Sequence, residues 1–286
     1  MKHKSARSLM VLLLLAALLT GSLAACASHT ELPAVVTKGL KEEKVASTVH
    51  EGDFVFSIHQ TYAEVTSYTG KVPTPIIPDT ISGLPVLAIG PSAFQDNTDI
   101  TTVTLPKLLR QIQKHAFDGC TSLVSLTLPE TVESLGEYAF KNCAFTELTL
   151  PESVAEISKY CFYGCAITSV TIPSRVERTG KYAFYGCQNL ISVSFPPRMT
   201  SISDKMFYNC TALTEVILPD TMTKIEEYAF SGCTSLKRIV IPASVTVIGA
   251  GILHGCPDAV IETTAGSKAE TYAQNNQYAV TLIEKK

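Results

Sequence analysis

The residues of this 286-residue chain best suited to chemistry are its nine cysteines and six histidines. A zinc site needs close cysteine or histidine pairs converging on one point. A nucleophilic thiol needs a histidine beside it. The spacing gives neither. Cys120, Cys143, Cys165, Cys187, Cys210, Cys233 and Cys256 recur at gaps of 23, 22, 22, 23, 23 and 23 residues. Cys161 and Cys165 are the one close pair. The histidines are scattered at positions 3, 29, 50, 59, 115 and 254. His115 sits where other copies of the pattern carry Tyr138, Tyr160 and Tyr182, which suits a surface side chain better than a base. There is no Gly-rich phosphate loop and no Gly-x-Ser-x-Gly elbow. The sequence therefore predicts no catalytic residue, no metal and no cofactor.

The cysteine spacing belongs to a longer repeat. Pro106, Pro129, Pro151, Pro173, Pro196, Pro219 and Pro242 recur at the same intervals. Phe117, Phe140, Phe162, Phe184, Phe207 and Phe230 stand three residues before the cysteines. Phe94 begins that series one turn earlier. In one unit Leu126 and Leu128 alternate with Ser125 and Thr127, the period of a strand with one buried face. Pro129 ends it, because proline cannot donate to a ladder. Val132 and Leu135 form a second apolar pair, and Ala139, Phe140 and Cys143 point inward from a return segment. A unit this short cannot bury its apolar side alone, but stacked copies can. Eight turns at ~4.8 Å each predict a solenoid ~38 Å long. Two positions depart from the pattern, Leu253 for the aromatic and Thr179 for an Ile or Leu, and predict looser packing in their turns.

A solenoid spreads the seven ladder cysteines one per turn, so they cannot meet at a metal. Neighbours could approach disulfide range, ~4.4–6.8 Å between Cα atoms, but parallel side chains fit the required dihedral poorly. The Phe and Cys rows are expected as a structural ladder of rings and buried free thiols. Cys161 occupies the slot held by Ala139 and Ala183 in neighbouring turns.

Two surfaces are candidates for a partner. The outward strand positions Ser125, Thr127, Glu147, Thr149, Ser169, Thr171, Ser192, Ser194 and Glu215 predict a flat Ser/Thr-rich sheet. Thr102, Thr104 and Ile217 extend it, with Arg238 and Val240 at one end. Threonine is also a good strand former, which would explain the row without a partner. The second surface is aromatic: Tyr138, Tyr160, Tyr182 and Tyr228 share one repeat position, and Tyr163, Tyr185 and Tyr208 another. Tyrosine is enriched at binding hot spots. A row that merely shields the phenylalanines is the other reading.

Hydrophobic residues make up 46% of the chain and charged residues 17%, with a net charge of −3. That excludes a disordered polyelectrolyte and argues against nucleic acid as a partner. Lys2, Lys4 and Arg7, an apolar run from Leu9 to Leu19, then Leu23-Ala24-Ala25-Cys26 read as a secretory signal. The last four residues resemble a lipobox, the cleavage and acylation site of bacterial lipoproteins. The resemblance implies cleavage before Cys26, a diacylglyceryl group on its sulfur, and a membrane contact through that lipid. The remaining chain would carry 20 basic and 26 acidic residues, a net charge of −6. The expected organisation is a signal over 1–25, a lipidated tether over 26–50, an N-terminal β cap with the first repeat over 51–95, repeats over 96–260, and a closing cap over 261–286.

The Leu-x-x-Val-x-Leu-Pro, Val-x-x-Ile-Gly and Ala-Phe-x-Gly-Cys pattern resembles the BspA-like leucine-rich repeats of bacterial surface proteins, over about residues 51–283. Residues 51–70 resemble that family's N-terminal β-hairpin, and residues 265–273 its closing helix. The resemblance implies a leucine-rich repeat solenoid: short parallel strands, irregular or 3-10 return segments, a β-hairpin cap and a helix/strand cap. It also implies a non-catalytic, extracytoplasmic protein, exposed at the cell surface and binding an extracellular protein or glycan. A structural envelope protein and a substrate-binding lipoprotein of a transport system are the alternatives.

Overall fold

The structure is a computed structural model that describes residue 40 and residues 43–284. The N-terminal end is an antiparallel meander of β1 (Ser47–Glu51), β2 (Phe54–Ile58) and β3 (Ala63–Tyr68). The stretch expected as a tether up to residue 50 thus ends inside a strand. Glu43 is also tied to the sheet, its carboxylate accepting the backbone N–H groups of Gln60 and Thr61.

From β3 onward the chain winds as a three-sided solenoid. One side carries a row of strands, most of which precede a repeat proline. They are β6 (Thr102–Val103), β8 (Ser125–Leu126), β11 (Ser169–Thr171), β12 (Ser192–Ser194), β14 (Glu215–Ile217), β16 (Arg238–Val240), β18 (Val260–Thr263) and β19 (Ala279–Leu282). The second side begins with β4 (Thr80–Ile81), antiparallel to β5 (Leu84–Ile89), and β5 joins β3 in parallel. It continues through β7 (Gln111–Ile112), β9 (Ser134–Leu135) and β10 (Glu156–Ile157), then β13 (Ser201–Ile202), β15 (Lys224–Ile225) and β17 (Val247–Ile248). The register is strictly parallel: Ile112 faces Leu135, and Leu135 faces Ile157. The second apolar pair of each repeat is therefore a strand row of its own.

The third side is the return. It is a run of turns, with no 3-10 helix among the described residues. Two residues per turn take positive φ and reverse the chain. The first position is Ser92, His115, Tyr138, Tyr160, Tyr182, Lys205, Tyr228 and Gly251, with φ between 51° and 61°. The second alternates Asp or Asn with Gly over parts of the row, because side chains one turn apart would collide. A Cβ on Gly232 would lie 2.1 Å from Asn209 Oδ1. The returns are also laddered, as Phe117 N–H donates to Ala139 and Phe140 N–H to Cys161.

The core lies between the three sides. Phe94, Phe117, Phe140, Phe162, Phe184, Phe207 and Phe230 form one column of stacked rings, with centroids 4.9–5.6 Å apart. Phe54 and Tyr68 close the column at the N-terminal end. At the other end sits α1 (Lys268–Asn275), capped by Ser267, whose hydroxyl accepts from Glu270 N–H, a standard N-cap arrangement. Ala269 and Ala273 are the buried residues of this helix, and the Tyr272 hydroxyl accepts from Ile252 N–H. Leu253 is fully buried, and it lines a cavity of about 410 Å³ together with Cys256, Ala259 and Tyr278.

Candidate binding surfaces

On the first side Ser125, Thr127, Glu147, Thr149, Ser169, Thr171, Ser192, Ser194 and Glu215 are all exposed. They do not form the single flat sheet expected. The row pairs as β6–β8, β11–β12 and β14–β16–β18–β19, and residues 147–149 lie outside any strand. The turns from Cys143 to Phe145 and from Cys165 to Ile167 are one residue shorter than that from Cys120 to Leu123, and Leu148 is half-buried where Val170, one turn on, is buried. Ile217, 53% exposed, and Val124, 57% exposed, are apolar residues along this side. Towards the C-terminal end Arg238 bonds both Glu215 and Glu262. Those two bonds raise the Arg238 pKa further and lower that of Glu262.

On the return side the tyrosines stack on one another. His115, Tyr138, Tyr160 and Tyr182 lie 4.8, 4.6 and 4.5 Å apart, with planes within 11° of parallel. Lys205 continues the column, its Nζ 5.3 Å from the Tyr182 ring and 5.4 Å from that of Tyr228. Tyr163, Tyr185 and Tyr208 make a second column at 4.9 Å spacing. Each interior ring spends both faces on its neighbours, so the surface shows edges and hydroxyls. Burial between Tyr138 and Tyr182 pushes the Tyr160 hydroxyl up to about 12. A sugar needs an open ring face to stack, and these columns do not offer a row of them. His115 Nδ1 lies 2.7 Å from Asp118 Oδ2. No hydroxyl or thiol among the described residues bonds to that imidazole.

The eight described cysteines are buried and free. Each ladder thiol bonds a phenylalanine carbonyl of the preceding turn: Cys120 to Phe94, Cys143 to Phe117, Cys187 to Phe162, Cys210 to Phe184, and onward to Cys256 and Phe230, at 3.0–3.2 Å. Cys165 and Cys233 bond Phe140 and Phe207 in the same way. Burial raises the thiols, to about 12 at Cys120 and Cys187. Burial and these bonds hold the thiols protonated and away from solvent, and among the described residues no group of three or more His, Cys, Asp and Glu could hold a metal. Cys26 lies outside the described residues. No helix among the described residues is long and apolar enough to cross a membrane.

A further feature lies on the second side. The sheet is interrupted between β10 and β13, at the turn that holds Thr179. Elsewhere on this side the N–H groups of a turn reach the carbonyl one turn back, as Glu133 and Ser134 both do to Arg110 and as Ala155 and Glu156 both do to Glu133. Glu177 and Arg178 make no such bond to Ala155. Thr179 is buried, and its carbonyl accepts from the Ser203 hydroxyl at 2.6 Å instead of from a backbone N–H. A cavity of about 700 Å³ opens there, lined by Ala155, Glu156, Lys159, Arg175, Arg178 and Thr179 among others. Sequence reading marked Thr179 but not the arginines beside it.

The BspA type leucine rich repeat region matches residues 87–165 and 155–279, in six copies. The chain belongs to the BspA type leucine-rich repeat family. Among solved structures, the Treponema pallidum leucine rich repeat protein is 23% identical with a TM-score of 0.53, covering 84% of this chain and 100% of that one. A leucine rich cell surface protein of Faecalibacterium prausnitzii is 21% identical, covering 80% of this chain and 98% of that one, with a TM-score of 0.36. The likeness to the first of these concerns the fold. A search of the curated proteins finds no match.

Proposed function

We propose that this BspA-type protein is a lipid-anchored, non-catalytic platform at the cell surface, which binds a partner protein on the first side of its solenoid. The observation that carries the reading is the exposed row from Ser125 to Glu215. It consists mostly of small hydroxyl side chains with apolar Ile217 and Val124 in reach. Short side chains, mostly hydroxyl with Glu147 and Glu215 among them, have little rotamer freedom to lose on contact, and the paired strands β8, β11, β12 and β14 hold much of the row in place. The Glu215–Arg238–Glu262 pairs would bound it with charge. Glycan stacking on the tyrosine columns has no support, because their ring faces are covered.

Anchoring through Cys26 rests on the lipobox resemblance. A diacylglyceryl group supplies two chains, which hold a protein stably on a membrane. Two measurements test the proposal. Detergent-phase partitioning of the wild type, lost on Cys26→Ala, supports the anchor; equal partitioning rejects it. Binding to immobilised extracellular proteins, compared with a Thr127→Arg, Thr149→Arg, Thr171→Arg variant of unchanged melting temperature, tests the face. At least tenfold weaker binding supports it. Equal binding would move the site elsewhere, and no binding by either protein would favour a structural envelope role.

A further inference from the structure

The interruption at Thr179 has the features of a second, separate binding site, on a different side from the row just discussed and independent of it. Its backbone is open in both senses: the Ala155 carbonyl lacks the donors that other turns supply, and the Glu177 and Arg178 N–H groups lack the acceptor. An edge that offers one acceptor and adjacent donors is matched by a polypeptide, which carries both in each residue. The depression beside it, about 700 Å³ and open to solvent, leaves room for a segment laid along this edge.

The charges point the same way. Arg110 and Arg238 are ion-paired with Glu133, and with Glu215 and Glu262. Arg175 and Arg178, which line the cavity, and Arg198, at the repeat position of Arg175 one turn on, bond no described residue. A guanidinium presents a planar fork of donors that suits a carboxylate. The surroundings are not uniformly basic. Glu156 takes the Ser158 hydroxyl, and Glu137 holds Lys114 and Lys159 at 3.4 and 3.5 Å. Glu177 stands free beside the arginines. Such a mixture repels a dense polyanion and admits spaced carboxylates.

We propose that this notch takes an extended acidic segment of a partner protein, with its backbone amides on Ala155 and Arg178 and its carboxylates on Arg175 and Arg178. The test uses the purified full-length chain and a peptide labelled at its N-terminus, fluoresceinyl-Gly-Gly-Glu-Thr-Glu-Thr-Gly-amide, read by anisotropy at low salt. Two comparison ligands are the same peptide with Gln for Glu, and oligogalacturonate, which has spaced carboxylates but no amides. Three variants are used: Arg175→Gln with Arg178→Gln, Thr179→Ile, which restores an apolar side chain to the slot and should close the break, and Lys224→Gln, whose ammonium is paired with Glu226 on the same side, as a paired-cation control. The expected result is saturable binding, weakened at least tenfold by the double variant, by Thr179→Ile and by the Gln peptide, and unchanged in Lys224→Gln. Three outcomes overturn the proposal. The peptide fails to bind the wild type; it binds Thr179→Ile as well as wild type, which would reduce the site to surface charge; or oligogalacturonate binds as tightly, which removes the role of the amides.

Discussion

The Cys143 thiol lies 3.2 Å from the Phe117 carbonyl oxygen, one turn back in the solenoid. The same pairing recurs along the ladder and explains why cysteine fills the slot. The thiol is small and apolar enough for a dry core, yet it carries a weak donor. Alanine would lose the donor, and serine would carry a more polar group into the core.

This burial sets an alkaline limit on stability. The folded thiols are pushed up, to about 12 at Cys187 and about 11 at Cys256. The unfolded chain releases the same protons near 8.5. Between those values the folded state holds more protons, so stability falls as pH rises, by up to ~1.4 kcal/mol per pH unit for each thiol. Below about pH 8 the contribution is complete. The urea midpoint, measured under reductant, should be level from pH 7 to 8 and fall steeply by pH 10. A level midpoint throughout would mean that the thiols ionise equally well in the folded chain.

The ring column should dominate the stability of the middle turns. Phe140 is fully buried between Phe117 and Phe162, with Phe145 edge-on against it. Phe140→Ala should cost ~3–5 kcal/mol. Thr127→Ala, on an exposed position, should stay within ~0.5 kcal/mol. Equilibrium urea unfolding of the two variants checks the contrast, and equal midpoints would contradict the column described.

The Phe and Cys columns were legible because each repeats at a nearly constant interval and one residue type serves the slot in almost every turn. The second strand row was less so: Val132 and Leu135 flank or enter a two-residue strand, too short to show a period of two. The breaks in the Ser/Thr face had no such signal: Cys143 to Phe145 and Cys165 to Ile167 are shortened alike, yet only the second is followed by a strand, at Ser169–Thr171. The notch was half-legible. Thr179 stood out as a polar residue in an apolar slot. Three arginines within residues 175–198 were also visible, but that they lacked partners could be seen only once Arg110 and Arg238 had found theirs.

The positive-φ position of the return was hidden from the sequence, because tyrosine has no preference for that region. Tyr160 has φ 57°. An L-residue there carries ~1–2 kcal/mol of strain that glycine avoids. The tyrosines hold it through their ring stacks. Once the ring is removed, the backbone preference should decide. Tyr160→Gly should therefore be more stable than Tyr160→Ala by ~1 kcal/mol, the reverse of the order in ordinary helix or strand positions. Thermal unfolding of the pair resolves this, and alanine ranking above glycine would be incompatible with the return geometry.

Thr179 is a poor fit to its slot. Its side chain is buried, with Oγ1 3.2 Å from Met206 Sδ, a weak acceptor. The hydroxyl therefore gains little in return for its desolvation. The slot sits in a row with Leu135, Ile157, Ile202 and Ile225, all buried and apolar. Thr179→Ile would remove the hydroxyl and add apolar carbons worth ~0.8 kcal/mol each when buried. The variant should be more stable by ~1 kcal/mol, and hydrogen exchange at the N–H groups of Glu177 and Arg178 should slow as they meet the Ala155 carbonyl. A loss of stability would mean that the slot is too small for the larger side chain, and unchanged exchange that the break does not originate at Thr179. A gain in both would show that this turn forgoes stability to keep its edge open, as sites that bind commonly do.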